Sequence, residues 1–297
     1  MTGYTSTMEK SMILLTGATG KSGGPAAREL LKKGVAVRVL VRDASRAAAL
    51  KEAGAELVVG DVADPEAVRN ALNGCQKALL LLPNSEQQLE LEKQFTDLAK
   101  SAGVQHLVKL SSMEAGAEAT APIPKLHWAS EEHIRASGLA WTMIRPNFFM
   151  QNLLSNAPTI KSMRKFFLPM GKARTAMIDA RDIGAVIAEA LSGSGHEGQS
   201  YDITGPELLD FHEVAERFSE VLGTRIEYVD QPPEAYREML SKFLTSEWHL
   251  NAVCELFEQI AAGGLERITD TFRQVTGREP ISLTTFIGDY RDAFQPD

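Results

Sequence analysis

Positive charge is scarce in this sequence of 297 residues. It contains 31 lysines and arginines against 39 aspartates and glutamates, and its formal net charge is -8 at pH 7. Because binding to nucleic acid requires a basic surface that contacts the phosphates, this balance predicts no nucleic-acid partner.

Cysteine is nearly absent as well. Cys75 and Cys254 are the two in the sequence, which is too few for a disulfide framework. No His, Cys and Asp residues stand at the spacing of metal ligands, so no metal site is expected. Low cysteine usage without a disulfide framework is typical of a reducing compartment, and the cytoplasm is the expected location.

Long hydrophobic runs are missing too. No apolar run approaches the roughly 20 residues that a membrane-spanning helix needs, so no membrane partner is expected. Residues 1–10, MTGYTSTMEK, lack the apolar core of a signal peptide and are interpreted as a flexible extension.

Strand and helix patterns alternate through the first half of the chain. Short apolar runs are each followed by a segment with helical spacing, one of which begins with Asp64 as N-cap and Pro65 behind it. The predicted strands lie in SMILLTG, VAVRVLVRD, AELVVGD, KALLLLP, HLVKLSS and WTMIRP. This alternation predicts the α/β class, with a Rossmann-type, doubly wound parallel sheet.

The pattern changes after Pro146. The apolar stretch FFMQNLLSNAPTIKSMRKFF shows no clear strand, IEYVD is a predicted strand, and the remainder is mainly helical. We expect residues 11–150 to form the Rossmann domain, and the helix and strand of residues 176–206 to rejoin it. Residues 151–175 and 207–297 are expected to form a smaller, mainly helical substrate lobe over the ligand edge of the sheet.

The loop after the first predicted strand, in LLTGATGKSGGPAARELL, can be interpreted in three ways. A P-loop would need a glycine five residues before Gly20, where Leu15 stands. A hydrolase nucleophile elbow would need its serine directly after the strand, but Ser22 lies six residues beyond Thr16 and no earlier strand supplies an oxyanion loop. Spacing and context therefore disfavour both of these interpretations.

The third interpretation, a dinucleotide-binding turn, has the required context. Gly17 allows a tight exit from the strand, Gly20 lets a pyrophosphate approach the backbone, and Gly23 lets the next helix pack closely. The N–H groups at the start of that helix then face the phosphates. The predicted cofactor loop consists of Gly17, Thr19, Gly20, Lys21, Ser22 and Gly23.

The end of the second predicted strand indicates which dinucleotide is bound. NAD-specific sites place a carboxylate here, whereas this sequence has Val41 near that place and Arg42 next. An arginine can pair with a 2′-phosphate, so NADPH is the expected cofactor and NADH the less favoured one. Alternatively, Arg42 is a solvated strand end and Asp43 binds a ribose. Asp61, which ends the third strand, either accepts a hydrogen bond from the adenine amino group or caps a turn.

The stretches TGATGKSG, VRD, GDV, LVKLSS, SGLAWTMIRPNFFMQNLL, MIDARDIGAVIAEAL and YDITGP occur together, up to about residue 206. In combination they resemble the NmrA-like branch of the atypical short-chain dehydrogenase/reductase superfamily. That family contains NAD(P)H-dependent reductases of quinones, azo dyes and triphenylmethane dyes, and non-enzymatic regulators that sense nicotinamide dinucleotides. The further cofactor contacts expected on this resemblance are Val62, Leu82, Pro83, Ser111, His127, Pro146 and Phe148.

The usual catalyst of that superfamily, a Tyr-x-x-x-Lys pair, is missing, because none of the five tyrosines has a lysine four residues later. Aligning Glu131 with the family's helix glutamate puts Ile123 at the tyrosine position and His127 at the lysine position. Ser112 matches the family's serine. We predict His127 and Ser112 as catalytic residues, with His127 acting near its ordinary pKa of about 6.5 as ribose ligand or proton donor. Alternatively, both side chains have only structural roles.

Without the tyrosine, hydride transfer to an acceptor that delocalises charge remains feasible. We therefore expect an NADPH-dependent reductase of a conjugated, aromatic small molecule such as a quinone or azo compound, acting as a monomer or homodimer. The alternative is a non-catalytic NAD(P)-sensing regulator. The expected acceptor contacts, each of which could instead be a core position, are Asn84, Trp128, Phe149 and Met150.

Asp179 and Asp182 resemble a pair of catalytic acids in the sequence. We interpret them instead as helix capping, because Asp182 directly precedes an apolar pattern with helical spacing.

Overall fold

A seven-stranded parallel sheet with helices on both faces forms the centre of the computed structural model, which describes residues 11–295. Its strand order is β3-β2-β1-β4-β5-β6-β9. The strands within the described residues are β1 (Met12–Leu15), β2 (Ala36–Val41), β3 (Glu56–Val59), β4 (Cys75–Leu80), β5 (His106–Leu110), β6 (Ala140–Pro146), β7 (Lys165–Leu168), β8 (Arg174–Thr175), β9 (Gln199–Ile203), β10 (Leu209–Asp210) and β11 (Glu227–Asp230). The predicted Rossmann-type α/β fold is confirmed. The extension expected over residues 1–10 lies outside the described residues.

The α-helices alternate with the strands through the first half of the chain, as the sequence predicts, and dominate its last part. They are α1 (Gly23–Lys32), α2 (Ala48–Glu52), α3 (Pro65–Leu72), α4 (Gln88–Ser101), α5 (Pro122–Ser137), α6 (Ala157–Met163), α7 (Ala180–Ser192), α8 (Phe211–Leu222), α9 (Pro233–Ser241), α10 (Glu247–Gln259), α11 (Thr271–Thr276), α12 (Leu283–Asp289) and α13 (Arg291–Phe294). No helix within the described range has the length and apolarity to cross a membrane.

The strand order reverses between β1 and β4, which places a ligand crevice at the carboxyl ends of these two strands. Thr16 joins the two ends through its hydroxyl group. This hydroxyl donates to the carbonyl oxygen of Leu79 at 3.0 Å and accepts from the backbone N–H of Leu81 at 2.8 Å. The turn that follows Thr16 therefore starts from a fixed position at the crevice.

A second hydrophobic core lies in the smaller lobe after Phe149. Two short sheets, β7 with β11 and β8 with β10, frame aromatic side chains that pack ring against ring. The ring centroids of Phe166 and Phe218 lie 5.8 Å apart, and those of Phe218 and Phe294 lie 4.9 Å apart. Phe272 of α11 instead joins one of the two cores that flank the central sheet, so the last part of the chain contributes to two of the three cores.

The absence of a strand from the stretch after Phe148 is a wrong prediction, because Lys165–Leu168 form β7. Its partner is β11, with Phe166 opposite Tyr228 in parallel register. That partner lies about 60 residues along the chain, so local apolar periodicity contained no sign of the pairing.

The predicted start of α7 also needs a correction. Asp179, and not Asp182, is the N-cap, because its carboxylate accepts from the backbone N–H of Arg181 at 2.8 Å. Asp182 lies in the first turn and accepts from the backbone N–H of Ile281 at 2.7 Å. It therefore ties the segment before α12 to α7.

The turn between β1 and α1 has no room for side chains at two of its glycines. Gly17 has a φ of +65°, and a Cβ there would lie 2.5 Å from Leu81 Cδ2. A Cβ on Gly23 would lie 2.3 Å from the carbonyl oxygen of Gly17. The close approach of α1 to the turn thus depends on glycine.

We expect Gly23→Ala to destabilise the protein on the order of 1–3 kcal/mol, because the new methyl group would overlap a backbone carbonyl. Thermal unfolding of the variant and of Gly288→Ala would measure this effect. Gly288 is a matched control in α12, where a Cβ has nothing within 4 Å. Equal melting temperatures for the two variants would contradict the packing argument.

Candidate functional site

The turn and the start of α1 offer unpaired polar groups that suit a pyrophosphate. The N-cap residue Ser22 makes no side-chain capping bond, and the first turn of α1 contains no acidic residue. Ser22 Oγ is buried and has no hydrogen-bond partner within the described residues. Helix N-termini of this kind favour anions through their free N–H groups and dipole.

Gly20 differs from the other two glycines of the turn. A Cβ there would approach only the carbonyl oxygen of Gly17, at 3.1 Å, and Thr19, Gly20 and Lys21 are all exposed. A side chain at Gly20 would therefore need the Gly17 carbonyl to shift by a few tenths of an ångström, but its Cβ would meet no other part of the fold. An open backbone above the turn is what the approach of a dinucleotide would require.

At the end of β2, Arg42 is exposed and forms no ion pair within residues 11–295. Asp43 is already engaged, since its carboxylate accepts from the Ser45 backbone N–H at 2.9 Å and from Ser45 Oγ at 2.7 Å. These two hydrogen bonds lower the pKa of Asp43. Asp61 similarly accepts from the backbone N–H of Ala63 at 2.9 Å. This bond corresponds to the second of the two roles considered for Asp61, the capping of a turn. Of these groups, the guanidinium of Arg42 is the one without a partner.

A cavity of about 320 Å³ lies at the carboxyl edge of the sheet, next to the turn. Its walls come from the ends of β4 and β5, from α5, from the segment after β6, and from α10 and the residues behind it. The lining residues are Leu82, Pro83, Asn84, Leu110, Ser111, Ser112, Glu114, Ile123, His127, Pro146, Asn147, Phe148, Phe149, Asn152, Leu256, Phe257, Ile260 and Leu265. Nine of the predicted site residues are thus brought together, namely Leu82, Pro83, Asn84, Ser111, Ser112, His127, Pro146, Phe148 and Phe149.

Besides the residues of the turn, Arg42 and Asp61, three more predicted site residues lie outside the cavity. Met150 is buried beside Met177 and Leu209, in the contact between the lobe and the sheet. Trp128 is half-buried on the other side of α5, with the Arg135 guanidinium 5.1 Å from its ring centroid. Val62 is half-buried near α4, where its carbonyl oxygen accepts from the Gln94 side chain at 3.4 Å. The cavity does not include these side chains.

Two buried carboxylates hold α4 and α5 against the sheet behind the cavity. The Lys109 ammonium of β5 donates to Glu92 of α4 at 2.6 Å, and both side chains are fully buried. Glu131 of α5 accepts from Ser111 Oγ at 2.6 Å and from Arg145 Nε at 2.8 Å. Burial alone would raise the pKa of each carboxyl, but the basic partners lower it instead. Both acids are therefore ionised components of the scaffold.

His127 lies between these two clusters and is itself buried. Its Nδ1 has no hydrogen-bond partner within the described residues. Burial, and then the nearby ammonium of Lys109, lower the pKa of His127 to about 4. The predicted action near an ordinary pKa of about 6.5 is therefore wrong, and the imidazole is neutral at pH 7.

Comparison with known proteins identifies the family. The model of the NmrA-like family matches residues 9–280. This chain belongs to the NmrA-like family. The resemblance noted from the sequence is thereby confirmed.

Two curated relatives of this NmrA-like chain are reductases. It is 33% identical to an NAD(P)H azoreductase of Xenophilus azovorans over 95% of this chain and 99% of that protein. It is 34% identical to a (4-alkanoyl-5-oxo-2,5-dihydrofuran-3-yl)methyl phosphate reductase of Streptomyces griseus, over 96% of this chain and 100% of the relative.

A solved structure shares the fold. The NADPH complex of an NADPH-dependent quinone oxidoreductase from Escherichia coli superposes with a TM-score of 0.85 at 24% identity. The match covers 94% of this chain and 100% of the other.

The sequence analysis does not predict three polar residues of the cavity, Glu114, Asn147 and Asn152. Glu114 is half-buried, lines the cavity and accepts a hydrogen bond from Ser112 Oγ. Burial raises the pKa of its carboxyl. The available signal was its position two residues after Ser112 at a strand end that faces the ligand edge.

The neutral state of His127 leads to a prediction about acid stability. The unfolded chain binds a proton to His127 below a pH of about 6.5, whereas the folded protein does so only near pH 4, so stability falls as the pH drops between these values. A shift of this size corresponds to roughly 3 kcal/mol at 1.36 kcal/mol per pKa unit. We expect His127→Asn to lose less stability than the wild type upon acidification, as measured by urea unfolding at several pH values.

His212→Gln is the control for this experiment, since His212 is exposed on α8. It should retain the acid sensitivity of the wild type. If His127→Asn and the wild type lose stability in parallel, His127 takes up its proton in the folded protein as readily as in the unfolded chain.

Proposed function

We propose that this NmrA-like chain is an NADPH-dependent reductase that transfers a hydride to a neutral, conjugated small molecule in the cavity. The observation that carries the proposal is the position of this apolar cavity, which adjoins an anion-binding turn at the carboxyl edge of the sheet. The reductase relatives support the same class of reaction.

The cofactor would lie in the crevice at the carboxyl ends of β1 and β4, where the strand order reverses. The turn from Gly17 to Gly23 would receive its pyrophosphate, because Gly20 leaves the backbone open and the N-terminus of α1 is uncapped. Arg42 would pair with the 2′-phosphate, since no other described residue neutralises its charge. His127, as a neutral imidazole, would hydrogen-bond the nicotinamide ribose.

The lining of the cavity restricts the acceptor. Phe148 and Phe257 pack edge to face with ring centroids 6.0 Å apart, and Phe149 adds a further aromatic face. Asn84 and Asn152 supply amide groups, and no lysine or arginine lines the cavity. An acceptor that carries a phosphate would find no basic partner there. A small quinone or azo compound fits these walls better, and a volume of about 320 Å³ is at the small end for ligand pockets.

The reaction divides between the cofactor and the protein. When bound, the reduced nicotinamide supplies the hydride. The protein holds the acceptor against apolar walls and excludes water from them. The hydrogen bond from Ser111 to Glu131 keeps α5 and the end of β5 in place around it. Bringing donor and acceptor into this geometry is itself a large part of such catalysis.

The direct test is oxidation of NADPH in the presence of a panel of neutral quinones, azo compounds and a phosphorylated enone. We expect turnover with the neutral acceptors, and little with the phosphorylated one, measured as the loss of NADPH absorbance. Gly20→Val should bind no NADPH while it remains folded, because its side chain fills the approach to the turn.

Tight NADPH binding without oxidation by any acceptor would contradict the reductase proposal. It would favour the alternative of a nicotinamide-sensing regulator. Normal NADPH binding by Gly20→Val would contradict the assignment of the turn.

A second prediction concerns the choice of dinucleotide. Arg42→Ala should weaken NADPH binding by roughly 10- to 100-fold and leave NADH binding nearly unchanged, because a charge-assisted phosphate contact contributes about 1.5–3 kcal/mol. Calorimetric titration with both cofactors measures the difference. Lys51→Ala, an exposed cation on α2, is the control and should bind both as the wild type does. Equal losses for NADPH and NADH in Arg42→Ala would exclude the 2′-phosphate contact.

A further inference from the structure

We propose that Glu114 is the catalytic acid of this site, the side chain that gives the acceptor its proton. This role rests on the reductase function proposed above. It replaces His127 as proton donor and leaves to His127 the contact with the cofactor.

The geometry of the cavity leaves two candidates for a proton donor among its titratable side chains. Glu114 and His127 are the titratable residues of the lining, which they reach from the loop after β5 and from α5. The walls contributed by β4, by the segment after β6 and by α10 present no charged group to the cavity. His127 is neutral at pH 7, so its ring has no extra proton to give.

Glu114 differs from the scaffold carboxylates in its partners. Glu92 has the ammonium of Lys109, and Glu131 has the guanidinium of Arg145, whereas no cation within the described residues lies at ion-pair distance from Glu114. Its one hydrogen bond from a side chain comes from the neutral hydroxyl of Ser112. A partly desolvated carboxyl without a counter-ion favours its protonated form, in agreement with its raised pKa.

The step balances with the cofactor as the reductant. A quinone that has received a hydride carries one negative charge on oxygen and needs one proton to become a hydroquinone. The O–H bond of the Glu114 carboxyl breaks, a new O–H bond forms on the acceptor, and the electron pair of the broken bond stays on Glu114 as carboxylate. Because Glu114 is only half-buried, solvent can return the proton for the next turnover.

Ser112 is a positioning residue in this scheme. Its hydroxyl donates to the carboxylate of Glu114 and therefore favours the ionised form after proton transfer. It also fixes the carboxyl at the end of β5, at the edge where the acceptor would lie.

The test compares Glu114→Gln with Glu118→Gln, using NADPH and 1,4-naphthoquinone. Glutamine has nearly the same shape but no acidic proton, so kcat should fall on the order of 10²-fold or more, while the Kd for NADPH stays unchanged. The wild-type kcat should fall as the pH rises through the pKa of Glu114, and the variant should lose this dependence. Glu118, which is exposed in the same loop, should be replaceable without effect.

Two further measurements do not depend on the loss of rate. Infrared titration of the protein without cofactor or acceptor, with Glu114→Gln subtracted, should show a carboxylic-acid band that persists above the ordinary range of a glutamate. Ser112→Ala should move the midpoint of the pH profile of kcat upward, because the carboxylate loses its hydrogen bond.

The outcomes separate the two proposals. If the wild type oxidises NADPH and Glu114→Gln matches it in kcat and pH profile, water supplies the proton and the role of Glu114 is overturned. An infrared titration that shows Glu114 ionised at its ordinary pKa overturns that role as well, whatever the activity. If the wild type oxidises no NADPH with any acceptor, the reductase function fails, and the acid role fails with it.

Discussion

The buried ion pair between Lys109 and Glu92 is the interaction on which the site depends most. It places one charge on a central strand and its partner on α4, with neither in contact with water. Such a pair contributes little net stability, but the loss of either partner would leave an isolated buried charge at a cost of about 3–5 kcal/mol. The ion pair therefore fixes the position of α4 relative to β5. Helix α5, which carries His127, packs directly on α4. The ion pair therefore also helps to fix the position of α5 at the cavity.

The same pair determines the electrostatics of the cavity. The burial of the ring and the ammonium of Lys109 keep His127 neutral, and the guanidinium of Arg145 is paired with Glu131 of α5. Lys109 and Arg145 therefore lie near the cavity, but neither side chain lines it. The cavity therefore contains no lysine or arginine, and its lining combines apolar side chains with amides, hydroxyls and the carboxyl group of Glu114.

Local sequence features predicted the parts of the molecule that local physics controls. The βα alternation and the spacing of Gly17, Gly20 and Gly23 were sufficient to predict the sheet and the tight turn between β1 and α1, because a strand exit and a helix start are decided by neighbouring residues. The strand at Lys165–Leu168 could not be found in this way, since its partner lies far along the chain.

The direction and the burial of individual side chains could not be predicted from the sequence either. Nothing in the residues around Trp128 indicates that it faces two arginines on the outer side of α5. The pKa of His127 depends on its burial and on an ammonium from a neighbouring strand, and the pKa of the Glu114 carboxyl is raised by its burial in the folded protein. These properties arise when distant segments meet, so single-sequence patterns do not contain them.

The smaller lobe is joined to the sheet by several separate passes of the chain. The chain leaves the sheet after β6, returns near Ile178 to begin α7, and leaves again after β9, with backbone bonds from Ile178 N–H to Phe148 and from Gly205 N–H to Ala176 at the crossings. A lobe that is joined to a sheet by a single linker can rotate about that linker. A lobe that is joined by several chain segments cannot. Molecules should therefore enter and leave by small movements of individual side chains and loop ends at the rim, while the lobe and the sheet keep their relative orientation.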